Sequence, residues 1–140
     1  MKTMTQEEFD ALPKIERIKQ CPTADYSQVI SFNEGCSFAK GCSFAEGCSF
    51  AERCSFAKGC SVEGGKKLLT TYVLSFNGFG SENRCTYSFL TDKGIIIRCG
   101  CWGGNIDNFR KQVKEIHGNN QYAKEYLMMC DLIELRLGGK

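Results

Sequence analysis

The chain has 140 residues, with 18 Lys and Arg against 16 Asp and Glu, a length suited to about one domain with a sizeable core. So close a charge balance sets up no global field toward nucleic acid or a membrane surface, and any electrostatic partner must be met locally. No apolar run approaches the ~20 residues of a membrane span, and the opening MKTMTQEEFDALPKIERIK has the wrong charge pattern for a secretory signal. The expectation is a cytoplasmic protein that makes no use of a membrane, with nucleic acid disfavoured as a partner.

Residues 1–25 read as a capping helix and lead-in. Thr5-Gln-Glu-Glu8 is a capping box that opens a short helix, and Pro13 is expected to end it. From position 26 the chain repeats itself every six residues. The units begin at Tyr26, Phe32, Phe38, Phe44, Phe50, Phe56 and Val62, and their fifth slots hold Ile30, Cys36, Cys42, Cys48, Cys54, Cys60 and Lys66. A period of six is wrong for an α-helix and requires a short strand plus a bend in each unit. In Cys-Ser-Phe the Cys and Phe lie two apart, so on a strand they share one face and Ser points the other way. The fourth slot is mostly Gly, which adopts backbone conformations that side chains resist. Five of the ten cysteines belong to these units. With no export signal they are expected to be reduced and to pack as small apolar residues.

This register resembles the hexapeptide repeat of left-handed parallel β-helices over residues 26–65, within a repeat domain of 26–67. That family usually places an aliphatic residue in the first slot, and the Phe found here is expected to reshape the coil interior. GCSFAEGCSF also resembles Cys-Ser-Phe-Gly repeats of phage and prophage-borne proteins, which implies a viral or mobile-element origin. If three hexapeptides make one turn, residues 18 apart stack at the strand spacing of about 4.8 Å, and the seven units give a little over two coils. Cys36 then lies beneath Cys54, Cys42 beneath Cys60 and Phe38 beneath Phe56. Among outward residues Lys40 stacks on Lys58 and Glu34 on Glu52, like-charge ladders that cost a few tenths to about 1 kcal/mol each and call for something to offset them. Arg53 replaces a turn Gly with a long cation.

Beyond the repeat, residues 68–140 read as an α+β cap. The period changes to two, and strands are expected at about 68–76, 84–92 and 94–102, an antiparallel meander with a hairpin at Asp92-Lys93-Gly94. Leu68, Tyr72, Leu74 and Phe76 share one face, as do Cys85, Tyr87 and Phe89, and Ile95, Ile97, Cys99 and Cys101. Asn105 caps a helix over about 106–117 with Ile106, Phe109, Val113 and Ile116 at helical spacing, closed at His117-Gly118. A second helix, about 121–137, carries Tyr122, Tyr126, Met129 and Ile133 along one stripe, and both stripes are assigned to packing. The fold class expected is therefore mixed β/α: a short left-handed parallel β-helix, then the meander and two helices.

A coil of two turns buries its ends poorly, since stacked units usually need three or more neighbours. The cap is expected to cover one end, leaving the other end or the coil's sides for self-association. Hexapeptide-repeat proteins are typically trimers, and the resemblance implies a homo-oligomer here. Acyltransferases of that family use a catalytic His in or near the coil, and zinc-binding carbonic anhydrases use several. The single His117 stands at a helix C-terminus, where it complements the helix dipole, and Cys99-Gly-Cys101 lacks the second pair that a tetrahedral zinc site requires. FNGFGSENR lacks the context of a phosphate loop.

These readings point to a non-enzymatic binding or assembly protein with no cofactor. The candidate ligand-binding residues are Lys40, Arg53, Lys58, Lys66 and Lys67, which would hold an anionic, nucleotide-like small molecule at seams between subunits. The phage resemblance implies that this ligand is a host defence signal, or that the partner is a host defence protein. The alternative is a purely structural virion scaffold. A reduced acyltransferase, with Trp102 and Tyr72 lining its pocket, ranks last.

Overall fold

The computed structural model describes residues 1–46, 48–63, 65–79, 85–100 and 102–138, with the backbone alone at positions 71 and 72. The chain opens with β1 (Thr3–Thr5), α1 (Gln6–Asp10) and α2 (Lys14–Lys19). The capping box forms as expected: the Thr5 hydroxyl accepts from the Glu8 amide at 3.1 Å, and the Glu8 carboxylate accepts from the Thr5 amide at 3.0 Å. Pro13 lies between two helices and stands at the N-cap of α2, where a residue without an amide hydrogen sacrifices no helical bond. The sequence reading did not anticipate α2, a six-residue helix none of whose residues is buried.

The repeats fold into short strands: β2 (Asp25–Gln28), β3 (Ser31–Phe32), β4 (Ser37–Phe38), β5 (Ser43–Phe44), β6 (Ser49–Phe50), β7 (Ser55–Phe56) and β8 (Ser61–Val62). β2, β3, β4 and β5 each pair in parallel with the strand 18 residues on, Tyr26 with Phe44, Phe32 with Phe50, Phe38 with Phe56 and Ser43 with Ser61. Three short faces per 18 residues follow directly. Inside, rings one turn apart lie nearly parallel, Phe32 on Phe50 at 4.9 Å and 14°, and Phe38 on Phe56 at 5.4 Å and 21°. Rings six residues apart meet edge to face, as Phe38 and Phe44 do at 4.8 Å and 81°. Both arrangements suit the quadrupole of an aromatic ring and add about 0.5–1.5 kcal/mol per pair beyond area burial. One alignment is corrected in the first unit: Val29 is fully buried while Ile30 is 70% exposed. The Val29 amide donates to the Tyr26 carbonyl at 3.0 Å, so the chain turns one residue earlier than in the Cys units.

Both ends of the coil are covered. At the N-terminal end the Phe9 ring of α1 sits edge-on against Phe32 and Tyr26, and β1 extends the β2 face in parallel. The Gln6 side chain serves as a partner for the β3 edge, its Oε1 accepting from the Ile30 and Ser31 amides at 2.9 and 3.2 Å and its Nε2 donating to the Ser31 carbonyl at 3.0 Å. At the other end Tyr87 packs on Phe50 at 5.7 Å and Phe89 on Phe56 at 5.2 Å. The Tyr87 hydroxyl accepts from the Cys54 amide at 3.0 Å and donates to the Ala51 carbonyl. Of the two surfaces expected to be left for self-association, the second end is therefore closed, and the coil's sides are not. Exposed edges are what such a coil must hide, and side chains as well as strands hide them here.

After β8 the chain reverses. β9 (Lys66–Phe76), β10 (Thr86–Thr91), β11 (Gly94–Cys99) and β12 (Trp102–Asn105) continue the β2-β5-β8 face as an antiparallel sheet in the order β8-β9-β10-β11-β12. The meander thus has four strands where three were expected. Gly100, with φ 60°, turns the chain inside the expected strand over 94–102, and Cys99 pairs with Trp102. Cys101 lies outside the described residues. The expected face sharing on β9 also fails, since Leu68 joins the coil core while Leu74 and Phe76 pack on the helices. The cause is a register shift: β10 advances two residues from Phe89 to Thr91 while β9 advances five between Val73 and Leu68, which inverts the parity. The Tyr72 side chain is outside the described set.

α3 (Ile106–His117) and α4 (Gln121–Leu137) cover the outer sheet face. Asn105 and Asn120 cap them through their side-chain oxygens, and Gly118 at φ 62° ends α3. Ile116 and Tyr122, assigned to packing, are 62% and 44% exposed. Ile116 lies beyond Val113, the last residue that α3 buries, and Tyr122 packs on His117. Among the described residues no helix is long and apolar enough to cross a membrane. Replacing Phe50, which touches rings on both neighbouring faces, on the turn below and on β10, should cost about 3–5 kcal/mol as Phe50→Ala. Ile116→Ser should stay within about 0.5 kcal/mol. Urea denaturation of the two variants checks the contrast.

Candidate functional site: a lysine recess at a coil corner

Each turn of the coil places the third and fourth slots of three units at its corners, and the corners differ in charge. At one of them Lys40 and Lys58 stand on successive turns, and the methylene chain of Lys40 lies against Gly59, within about 3.1 Å of where a Cβ would project. Gly59 has a φ of 94°, a conformation that only glycine adopts without strain. β9 passes directly above this corner, with the Gly59 amide donating to the Leu68 carbonyl at 3.1 Å. The β10–β11 turn then brings Asp92 alongside, where its Oδ1 accepts from the Lys67 amide at 3.0 Å and its amide donates to the Lys67 carbonyl. Together these elements enclose a recess of about 510 Å³ lined by Lys40, Lys58, Gly59, Lys67, Leu68, Leu69 and Asp92.

Among the described residues, Lys40, Lys58 and Lys67 take part in no ion pair. Three lysines thus line one space together with a single carboxylate, that of Asp92, and an apolar wall formed by Leu68 and the half-exposed Leu69. Three positive charges against one negative raise the local potential, and the attraction for an anion is greatest where apolar walls restrict water.

The other two candidate cations lie elsewhere. Arg53, at φ 61°, pairs with Glu34 of the preceding turn at 3.2 Å. It offsets the Glu34–Glu52 ladder at its own corner and contributes nothing to the recess. Lys66 donates through Nζ to the Glu63 carbonyl at 2.7 Å, closing the turn between β8 and β9. The recess combines Lys40, Lys58 and Lys67, two of them recognisable from the 18-residue spacing. The contributions of Asp92 and Leu69 depend on how the meander folds back.

Sequence reasoning missed the pair formed by Glu63 and Arg98. Both side chains are buried, at 5% and 2% exposure, and the guanidinium donates to the carboxylate. Glu63 takes a φ of 47° at the end of the coil, and Arg98 projects from β11. Gly103 of β12 lies so close that a Cβ there would overlap both charged groups. The pair therefore joins the coil to the cap through a site that only glycine leaves open. Arg98→Ala should cost about 3–5 kcal/mol by leaving Glu63 charged and buried, and Gly103→Ala should also be destabilising. Thermal unfolding of each variant, against an Arg53→Ala control on the exposed pair expected within about 1 kcal/mol, measures the difference.

The cysteines line the coil interior. Cys36 and Cys54 both donate to the Asn33 carbonyl, at 3.2 and 3.3 Å, and Cys60 donates to that of Ala39 at 3.1 Å. None of the described cysteines is in a disulfide, and no group of three or more His, Cys, Asp or Glu among the described residues could hold a metal ion. Burial pushes the Cys48 thiol up to about 12 and that of Cys130 to about 11, and it raises Tyr26 and Tyr87 as well. The Cys60 thiol is raised by its hydrogen bond with Cys42, which is held down by the same bond. A thiol that is neutral in the fold up to about pH 12, but ionises near 9 in the unfolded chain, stabilises fully below pH 9 and loses that contribution as pH climbs from 9 to 12. The denaturation midpoint should therefore fall steadily above pH 9, and a flat alkaline profile would contradict the burial of these groups.

His117 ends α3 and stacks on Tyr126 at 5.8 Å. Comparison of the chain with protein-family models, with curated proteins and with solved structures returns no match.

Proposed function

We propose that this is a non-enzymatic binding protein that holds a phosphate-bearing small molecule in the Lys40–Lys58–Lys67 recess. The observation that carries the reading is that three lysines, none of them in an ion pair among the described residues, line one cavity of about 510 Å³, large enough for a nucleotide-sized ligand. The ammonium groups supply charge for the phosphates, Leu68 and Leu69 an apolar surface, and the second oxygen of Asp92 an acceptor for a hydroxyl or amine. The seams between subunits are not needed for this site, since one chain supplies every lining residue. A left-handed winding, as in the hexapeptide repeats the chain resembles, belongs to this proposal. So does a host defence nucleotide as ligand, which rests on the resemblance to phage-borne proteins.

Inorganic triphosphate and a nucleoside triphosphate, each at millimolar concentration, should raise the melting temperature of the wild-type protein by several degrees, because a ligand at about 100 times its Kd adds about 2.7 kcal/mol. In the Lys40→Ala/Lys58→Ala protein the rise should vanish while the ligand-free melting temperature stays within a few degrees of wild type. No rise in the wild-type protein with either probe, or an equal rise in the double variant, would refute the site. A rise with the nucleotide alone would assign weight to the apolar wall and to Asp92.

A further inference from the structure

Helix α4 is apolar on two sides. One stripe, Ala123, Tyr126, Met129, Cys130, Ile133 and Leu137, is buried in the core under the sheet. A second stripe runs along the opposite side: Met128, Leu132 and Leu135 are 71%, 51% and 79% exposed. Their spacing of four and then three residues is that of a coiled-coil seam, and it continues back through Glu125. A helix apolar on both sides is ordinarily covered on both. Beside this stripe Phe79, 49% exposed, and Phe76 form with Glu125, Met128 and Leu132 an apolar groove of about 400 Å³.

We infer that two copies of this chain associate through this outward face of α4, packed antiparallel about a two-fold axis. The geometry selects a second copy as the occupant. The stripe has a projecting end, at Leu135, and a receiving end, at the Glu125–Phe79 groove, ten residues apart on one helix, or about 15 Å at the helical rise. When the helix is reversed upon itself so that Met128 meets Leu132 of the second copy, Leu135 of that copy falls opposite Glu125 and enters the groove. The two-fold repeats the contact in the other direction, which is the self-complementarity that such an interface requires. Covering these side chains and their surround on both copies removes on the order of 1,000 Å², the threshold for a specific interface.

The charges agree. Asp131 beside the seam and Glu134 farther round the helix are both bound by Arg110 of α3 at 3.1 and 2.6 Å, and Glu125 in the seam accepts from Gln121 Nε2 at 3.2 Å and meets Leu135 of the second copy, so like carboxylates do not oppose each other bare across the axis. α4 carries two basic and three acidic residues, a balance unlike the Lys- and Arg-rich polar face of a helix that lies on an anionic membrane. This surface shares no residue with the lysine recess, and the inference stands independently of it.

Sedimentation velocity from about 1 to 100 µM should show the wild-type protein passing from one chain of 15.7 kDa to two. Leu132→Glu and, separately, Leu135→Asn should each raise the dissociation constant by more than about tenfold, with unchanged circular dichroism because both side chains are exposed. Lys40→Ala/Lys58→Ala should dimerise as wild type does. A wild-type protein that stays a single chain at the highest concentration would overturn the inference, as would a limiting mass of three chains or a dimer that survives in folded Leu132→Glu. Binding of single chains to anionic phospholipid vesicles without dimerisation would assign the face to a lipid surface and overturn it equally.

Discussion

The vertical stacking of aromatic rings 18 residues apart is the constraint on which this protein is built. Parallel pairing of strands fixes a rise of about 4.8 Å per turn, and flat rings are the side chains that fill that rise while turning their edges toward the other two faces. Rings one turn apart therefore lie nearly parallel, and rings one unit apart meet edge to face. An aliphatic residue would satisfy the same slot by volume alone. Phe adds directional preference, so each ring in the column orients the next. The thiols fill the remaining interior space and satisfy nearby carbonyls.

A coil this short has edges at both ends close to every residue it buries, and the chain closes them by different means. One end uses a strand, a plug formed by Phe9 and the amide of Gln6. The other uses a reversed strand, two rings and a tyrosine hydroxyl. The Glu63–Arg98 pair then joins coil to sheet. Buried ion pairs seldom add net stability over apolar residues, yet a half-removed pair is costly. This pair links the end of β8 to β11, in the same sheet whose β9 and β10–β11 turn carry Lys67 and Asp92 over the lysine corner.

The corners show how a repeat with constant interior acquires distinct surfaces. In the five units from Phe32 to Cys60 the inward Phe and Cys are constant and the charge varies in outward slots, so stacking converts a six-residue sequence alternation into columns of charge. The acidic column is offset by Arg53 from within, at the cost of a left-handed backbone at a non-glycine residue. The basic column has no such partner among the described residues, and it lines a recess. Arg53 is thereby part of the coil's own electrostatics.

The sequence alone determined the period, the inward and outward slots, the 18-residue neighbours, the N-terminal capping box, the α3–α4 boundaries and the placing of Lys40 next to Lys58. All of these rest on local chemistry or on strict repetition, which needs no knowledge of distant residues. The tertiary structure decided the rest. The five-against-two register shift moved Leu74 and Phe76 to the helix side, Gly100 divided a strand in two, and Arg98 found Glu63 across 35 positions of sequence. Lys67 and Asp92 likewise meet only because β9 folds back over the coil. Pairings between segments that share no repeat depend on where each chain segment reverses, and only the packing of the whole fold determines that.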